Sequence, residues 1–328
     1  MNYSPSVNNN YIVCIGAANI DKKYYLNHEF SPGTSNDVNC QKQSMGGVSR
    51  NIAENLTRLN LSSVLLTCVG NDKGGQEIVE YTRNVGTNMD EIWIIPNQET
   101  GNYTAVLNKD GSMIFGLSNM EIYKNINKEM ICNKWSLIKN SSAVVLDTNF
   151  SEECISYIIN RCKLDQVPVY IDPVSVNKSY HLPNNLKGVN TIFPNEHEVE
   201  ALTGIKINDI SNCKEAASIL IERGVENVII TLGNKGVYYQ KISEEGFIKA
   251  IHTKIKDVTG AGDAFLSGYL KGVIDGFSIV ECCKYGIASA HLTIQTENSV
   301  SVSLNEKNIK AVLEKKDINK EKIKTFNL

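Results

Sequence analysis

Short, nearly continuous runs of apolar and β-branched residues recur along the chain: Tyr11 to Ala17, Ser63 to Val69, Ala143 to Leu146, Val167 to Ile171, Thr191 to Phe193 and Val228 to Thr231. Runs without polar alternation predict strands buried on both faces. Between them lie stretches with helical spacing, among them Ser151 to Lys163 and Cys213 to Arg223. Strands alternating with helices predict parallel βαβ units and a layered α/β fold. Sites in such sheets gather beyond the carboxyl ends of the strands.

Two segments, about 22–44 and 101–117, break the alternation, with strand-like patterns and no intervening helix. Asn108-Lys109-Asp110-Gly111 between two apolar runs is a hairpin signature. The two segments are expected to join into a small sheet over the strand ends, a lid that excludes water from the site. No internal repeat is visible. The polar opening and the Lys-rich tail, Glu314 to Lys324, read as solvated ends.

A formal net charge of −3 offers no broad basic field for nucleic acid or an anionic membrane, so neither is expected as a partner. The ligand is expected in a pocket. The opening lacks the features of a signal peptide and no apolar run reaches a membrane span, which reads as cytoplasmic. The 9 Cys, including Cys14, Cys68, Cys154, Cys282 and Cys283 in apolar segments, form no Cys-x-x-Cys pair and read as buried free thiols.

Asp257-Val258-Thr259-Gly260-Ala261-Gly262-Asp263 precedes an amphipathic run, Ala264 to Leu270. As a helix start it offers a phosphate unpaired backbone N–H groups with no side chains in the way. Asp263 then stands where it can take a proton from an attacking hydroxyl, the chemistry of a small-molecule phosphotransferase. A plain turn before a helix fits these residues as well.

Asn19 and Asp21 share one side of an extended chain, where a carboxylate and an amide suit neighbouring sugar hydroxyls or form an ordinary polar strand end. Gly46-Gly47-Val48-Ser49-Arg50-Asn51 opens a helical pattern in which paired glycines let a ligand near the backbone and Asn51 reaches a hydroxyl. Asn195 and Glu198 have the spacing of a capping box, and equally that of two groups holding the hydration shell of Mg²⁺. Thr231-Leu232-Gly233-Asn234-Lys235-Gly236 reads as a hairpin turn or as backbone open to a nucleotide phosphate.

Together these motifs resemble the ribokinase-like, or PfkB, family of carbohydrate and nucleoside kinases. The likeness rests on Gly-Gly-x-x-x-Asn at Gly46 to Asn51, Asn-x-x-Glu at Asn195 to Glu198, Thr-x-Gly-x-x-Gly at Thr231 to Gly236 and Asp-x-Thr-Gly-Ala-Gly-Asp at Asp257 to Asp263, in that order, and runs to roughly residue 300. The resemblance implies one domain over 1–328, a three-layer α/β/α sandwich around a mostly parallel sheet with a small inserted β-sheet lid. It implies Asp263 as catalytic base, with Gly260, Ala261 and Gly262 as the anion hole. ATP would run along Asn195, Thr231, Gly233, Gly236 and Gly262, with adenine near Ala288 to His291. Mg²⁺ would be organised through water by Asn195 and Glu198, and Asp257 and Thr259 would be candidate ligands for K⁺. Asn19, Asp21, Gly46, Gly47 and Asn51 would hold the sugar, and a homodimer through the lid is the expected assembly.

Within the family the likeness runs to the pseudouridine kinase subgroup, carried by Gly16 to Asp21, Gly46 to Leu56, Thr100 to Tyr103 and Asp172 to Ser175. Ser118 to Glu121 and Asp147 to Asn149 follow less strictly, Asn119 standing where Asp is commoner. Thr100, Tyr103 and Asn149 become candidate contacts to a pyrimidine edge, or else serve lid folding and strand-end capping. Other sugar or nucleoside kinases and a noncatalytic sugar-binding relative are the alternatives. Retention of Asp263 with its glycines argues against the last. No dinucleotide fingerprint follows the first strand, and no Walker-type lysine loop is present.

Overall fold

A computed structural model describes residues 11–315 and 320–321. The chain runs through β1 (Tyr11–Ile15), β2 (Asn19–Leu26), β3 (Val38–Gly46), α1 (Val48–Arg58), β4 (Ser62–Leu66), β5 (Cys68–Gly70), α2 (Lys73–Asn84), β6 (Trp93–Ile95), β7 (Asn102–Leu107) and β8 (Met113–Asn119). Next come α3 (Lys128–Asn133), α4 (Trp135–Lys139), β9 (Ala143–Asp147), α5 (Glu152–Leu164), β10 (Val169–Asp172), α6 (Val176–Ser179), β11 (Val189–Ile192), α7 (Glu196–Thr203) and α8 (Ile210–Glu222). The last part holds β12 (Asn227–Thr231), β13 (Gly236–Lys241), β14 (Glu244–Lys249), α9 (Ala261–Ile274), α10 (Ile279–Thr293), α11 (Glu306–Lys315) and β15 (Lys320–Glu321). The polar opening and most of the Lys-rich tail lie outside the described residues.

Nine strands form the main sheet in the order β15-β14-β13-β12-β11-β10-β9-β1-β4. From β4 to β12 the neighbours pair in parallel, and the β12-β13-β14-β15 edge is antiparallel. The central strands β1, β9 and β10 are largely apolar because both faces are covered. Val13 and Ile15 of β1 enter a core with Ile155 and Ile158 of α5 and Leu220 of α8. Ile12 and Cys14 enter the opposite core with Ile52 and Leu56 of α1 and Leu266 of α9. Each such aliphatic burial contributes about 1.5–3 kcal/mol, so the period-2 alternation between two helical layers fixes strand register. The result is a three-layer α/β/α sandwich. A separate four-stranded sheet, order β3-β2-β7-β8, is built from the two segments that interrupt the alternation.

Three sequence expectations change. The apolar run Ser63 to Val69 divides at Thr67 into β4 and β5, and β5 leaves the main sheet to pair with β6. Helix α9 begins at Ala261, so Asp263 lies inside its first turn, and the helix is buried on all sides from Asp263 to Gly272 rather than amphipathic. Glycine explains the burial: a β-carbon at Gly268 would stand 2.2 Å from the Ser289 hydroxyl, so α10 packs against α9 backbone to backbone. All nine cysteines are free, with Cys132 exposed and Cys40 half-buried rather than in the core.

Candidate active site

After β1 the chain crosses to β4 on one side and later to β9 on the other, which makes the carboxyl ends of β1 and β9 a switch point. Asp147 closes β9 there. Its carboxylate accepts from the Ala17 amide at 2.8 Å, the Ser49 hydroxyl at 2.9 Å and the Asn149 amide at 2.9 Å. A β-carbon on Gly16 would lie 2.1 Å from the Asp147 carboxyl carbon, so only glycine lets β1 end against it. Tyr123 braces the next turn, donating to the Ala18 carbonyl at 2.6 Å and accepting from the Ala18 amide at 2.9 Å.

Beyond this turn, Asn19 donates to Asp21 over 2.6 Å at the head of β2. Burial raises the Asp21 pKa, and the Asn19 hydrogen bond opposes the rise. Gly46, paired with Asn19 at the end of β3, is held open: a β-carbon there would fall 2.3 Å from an Asp21 oxygen. Gly47 caps α1 at φ 98, pressed against the Ala17 carbonyl. One turn into α1, Asn51 donates from Nδ2 to Oδ2 of Asp263 over 2.7 Å, joining α1 to α9.

The start of α9 is shaped for an anion. Gly260 is in the left-handed region at φ 79 and supplies no side-chain cap; the Ala261 amide donates to the Val258 carbonyl at 3.2 Å, which leaves the amides of Gly262 and Asp263 as the first-turn donors without an intrahelical carbonyl. A β-carbon at Gly260 would stand 1.9 Å from the Ser299 carbonyl, whereas at Gly262 it would meet nothing within 4 Å. Gly262 borders a cavity of about 150 Å³ whose walls include Asp172, Asn195, Glu198, Thr231 and Asp263. Asp263 is 7% exposed, and burial pushes its pKa up to about 7, with the Asn51 hydrogen bond and the Arg50 charge pulling the other way. Burial also raises Glu198, and raises Asp172 well above the usual range with help from the Glu198 and Asp263 charges.

Val174 borders the same cavity at φ 66, a rare backbone state for a β-branched residue. It is held there by its amide on Asp172 at 2.7 Å and by Thr148, which bonds the Pro173 carbonyl at 2.6 Å. Such strain persists only where neighbours over-determine it.

Asn195 and Glu198 form the capping box of α7. The Asn195 side-chain oxygen accepts from the His197 and Glu198 amides at 2.9 and 3.0 Å, and Glu198 accepts from the Asn195 amide at 2.9 Å. The capping-box alternative is thus present: the Asn195 oxygen accepts two helix amides, and both Asn195 and Glu198 border the cavity. Among the described residues no three His, Cys, Asp or Glu groups are placed to cage a metal ion. Buried carboxylates around an open cavity nonetheless suit Mg²⁺, a hard cation that retains water and takes few direct protein ligands. Glu198, with Asp172 beside it, is the group that fits.

Thr231 reaches the cavity and bonds through its amide to the Pro194 carbonyl at 2.9 Å. Gly233, at φ 57, has open space around it, but Gly236 is fixed by the hairpin, where a β-carbon would hit the Ile248 carbonyl at 2.1 Å. Other expected contacts are redirected. Thr100 is buried and spends its hydroxyl on Asp72 at 2.5 Å and the Gly70 amide at 3.0 Å, tying its loop to the start of α2. Asn149 turns its amide onto Asp147 at 3.0 Å. Tyr103 pairs beside Asp21 in the small sheet, with its hydroxyl against the Met113 sulfur at 3.3 Å. Thr259 donates to Asp257 at 2.6 Å, and the cation on Asp257 is the Lys23 ammonium from β2. Of the segment Ala288 to His291, Ala288 and Ser289 are buried and present no surface to adenine, whereas Ala290 and His291 are half-buried.

Sequence reading missed Asp147, Asp172, Arg50 and Lys23 as site-building residues. For Arg50 a signal existed: Arg50, Glu54 and Arg58 repeat at i, i+4 on a helix that also buries Ile52 and Leu56.

Residues 9–307 match the pfkB family carbohydrate kinase profile. The chain is 32% identical over 305 residues to a pseudouridine kinase of Escherichia coli, covering 93% of this chain and 96% of that protein. A ribokinase of Arabidopsis thaliana is 25% identical over 314 residues, with 92% and 80% coverage. Among solved structures, a carbohydrate kinase from Agrobacterium tumefaciens superposes with a TM-score of 0.77 at 27% identity, covering 93% of this chain and 97% of that one. The Arabidopsis thaliana ribokinase complexed with ribose and ATP gives 0.83 at 22% identity, with 93% and 98% coverage, a likeness of fold.

Proposed function

The chain belongs to the pfkB family of carbohydrate kinases, and from that premise we propose that it transfers the γ-phosphoryl group of ATP to a nucleoside, converting pseudouridine to pseudouridine 5′-phosphate. The observation that carries the kinase chemistry is Asp263: a buried carboxylate near neutral pKa, in the first turn of a buried helix, bonded to Asn51 and facing the cavity. A base with that pKa accepts a proton at physiological pH more readily than an ordinary aspartate. Asp263 takes the acceptor hydroxyl's proton as the bond to phosphorus forms and the β–γ bridge to ADP breaks. The turn from Gly260 through Ala261 to Gly262 would receive the charge carried by the transferring group, with the Gly262 amide as donor, since the Ala261 amide is held by the Val258 carbonyl. Glu198 and Asp172 would hold the waters of Mg²⁺, which supplies neutralisation of phosphate charge. Asn19, Asp21, Gly47 and Asn51 hold the ribose, and the small sheet acts as a lid against water.

The choice of pseudouridine is supported by the 32% identity to a pseudouridine kinase. Pseudouridine and uridine carry the same ribose, so discrimination falls to the base edge, where pseudouridine offers one more N–H. Leaving a buried acceptor unpaired costs about 1–3 kcal/mol, roughly tenfold to a hundredfold in selectivity. The test is kcat/KM across pseudouridine, uridine, ribose and fructose with ATP and Mg²⁺, with product position read by phosphorus NMR. Pseudouridine is expected to lead and uridine to follow, with ribose weak. A lead for ribose or fructose would overturn the nucleoside assignment and favour a sugar kinase.

We further infer a cytosolic setting, supported by nine free cysteines. A homodimer through the small sheet is supported by Met113, Phe115 and Leu117, exposed on its edge strand β8; sedimentation of a Leu117→Lys variant tests it, and an unchanged mass would remove that interface.

A further inference from the structure

Arg50 is 1% exposed, and no part of it lines the cavity. Its guanidinium makes three connections inside the fold. Nε donates to the Gly46 carbonyl at 3.1 Å, one terminal nitrogen to Glu54 at 2.6 Å, and the other to the side-chain oxygen of Asn51. Glu54 is gripped from the next turn by Arg58, at 2.9 and 2.7 Å, and the Tyr81 ring of α2 lies 5.8 Å from the Arg50 guanidinium. A buried guanidinium is tolerated only when its donors are met, so the fork has little freedom to reorient.

The consequence falls on Asn51. An asparagine amide presents either two N–H donors or an acceptor oxygen to a neighbour, and only the donor end suits a carboxylate. With Arg50 on its oxygen, Asn51 has its nitrogen turned toward Asp263, 2.7 Å away. A flipped amide would set its oxygen against the Asp263 carboxylate and its N–H groups against the guanidinium, two repulsive contacts together.

We propose that Arg50 is a positioning residue for phosphoryl transfer: it locks the Asn51 amide in the orientation that donates to Asp263 and, through the Gly46 carbonyl, fixes the glycine turn against which the Asp21 carboxylate lies. The inference rests on Asp263 being the base. The charged groups acting on Asp263 are Arg50 on α1, Asp21 on β2, Asp147 on β9 and Asp172 on β10, with Glu198 on α7 bordering the same cavity. Arg50 is the cation in that set, so its removal is expected to move the Asp263 titration upward.

The test compares the wild type, Arg50→Lys, and Arg50→Met combined with Glu54→Gln, the second change removing the charge of the carboxylate that loses its Arg50 partner while leaving an acceptor for Arg58. Two readouts are taken: kcat and the ATP KM on the best acceptor, and the titration of Asp263 by carbon-13 carboxyl NMR, assigned with Asp263→Asn. Lysine keeps the charge but cannot span three acceptors. Arg50→Lys is expected to lower kcat about tenfold with the ATP KM within roughly twofold and the Asp263 midpoint near that of the wild type. The double variant is expected to lower kcat further and to raise the Asp263 midpoint by at least about half a pH unit. If the double variant does not fold, Arg50→Lys decides. A wild-type kcat in Arg50→Lys overturns the proposal, and a lower melting temperature with kcat and titration unchanged makes Arg50 purely structural. Failure of the wild type to phosphorylate any acceptor overturns the functional reading instead, and the NMR titration, which needs no turnover, still decides the Arg50 contact.

Discussion

The side-chain amide of Asn51 meets the carboxylate of Asp263 at 2.7 Å across 212 residues of sequence, and this bond joins the helix that follows the glycine pair to the helix that follows the anion-binding turn. Substitution of Asp263 by Asn preserves an acceptor for Asn51 and removes the base. Turnover is expected to fall on the order of 10²-fold or more, the scale of general-base catalysis, with nucleotide binding retained. In the wild type the reaction needs Asp263 ionised, so kcat/KM should decline as pH drops below about 7, where its pKa lies. A rate profile from pH 5.5 to 9 checks both; near-normal turnover in the variant would remove Asp263 from the mechanism.

The same carboxylate makes a stability prediction of definite sign. Its folded-state pKa, about 7, is raised above the ordinary 3.8, so the folded state holds the proton more tightly than the unfolded chain. Its contribution to stability is full below about 3.8 and is lost as pH rises to about 7. Asp172 and Glu198 are raised in the same direction. Asp263→Asn should therefore melt above the wild type at pH 8 by at least about 2 °C, the scale of 1 kcal/mol in a chain of this size, with a smaller gain at pH 5. Equal gains at the two pH values would mean that the charge is not the cause.

Asn195 and Glu198 separate by substitution. Glutamine at 198 can still accept from the Asn195 amide, so Glu198→Gln should keep its melting temperature while raising the Mg²⁺ needed for half-maximal activity. Asn195→Ala loses the cap and about 0.5–2 kcal/mol of stability. Mg²⁺ titrations at fixed ATP beside melting curves distinguish them, and an unchanged Mg²⁺ profile in Glu198→Gln would confine Glu198 to the capping box.

The two glycines of the anion turn should respond in opposite ways. Gly262→Ala has room for its methyl group and sits in a helix, so stability should hold or rise by up to about 1 kcal/mol. That methyl would stand at the cavity edge where phosphate approaches, and kcat/KM for ATP is expected to drop about a hundredfold. Gly260→Ala must place a methyl 1.9 Å from the Ser299 carbonyl at positive φ and should be destabilised outright, by about 1–3 kcal/mol or more. Thermal melts and ATP kinetics on the pair test this; full activity in Gly262→Ala would dismiss the turn as a phosphate site.

The layered α/β class, the core strands β1, β9, β10 and β12 and the four motifs were legible in the sequence, because buried strands, capped helices and glycine turns are local patterns with local causes. The sequence also placed the Asn108 to Gly111 hairpin, where turn chemistry is read within a few residues. How each polar side chain is employed was settled by the folded arrangement. The residue types of Thr100 and Asn149 allow either ligand contact or lid folding and strand-end capping, and in the fold Asp72 and Asp147 take their hydrogen bonds. Lys23 reaches Asp257 across 234 residues, and Arg50 steers Asn51 from inside a helix whose charges look ordinary in sequence. Hydrophobic burial is summed over many residues and survives as periodicity, whereas a hydrogen bond depends on two atoms brought together by the whole fold, and one sequence carries no local trace of that meeting.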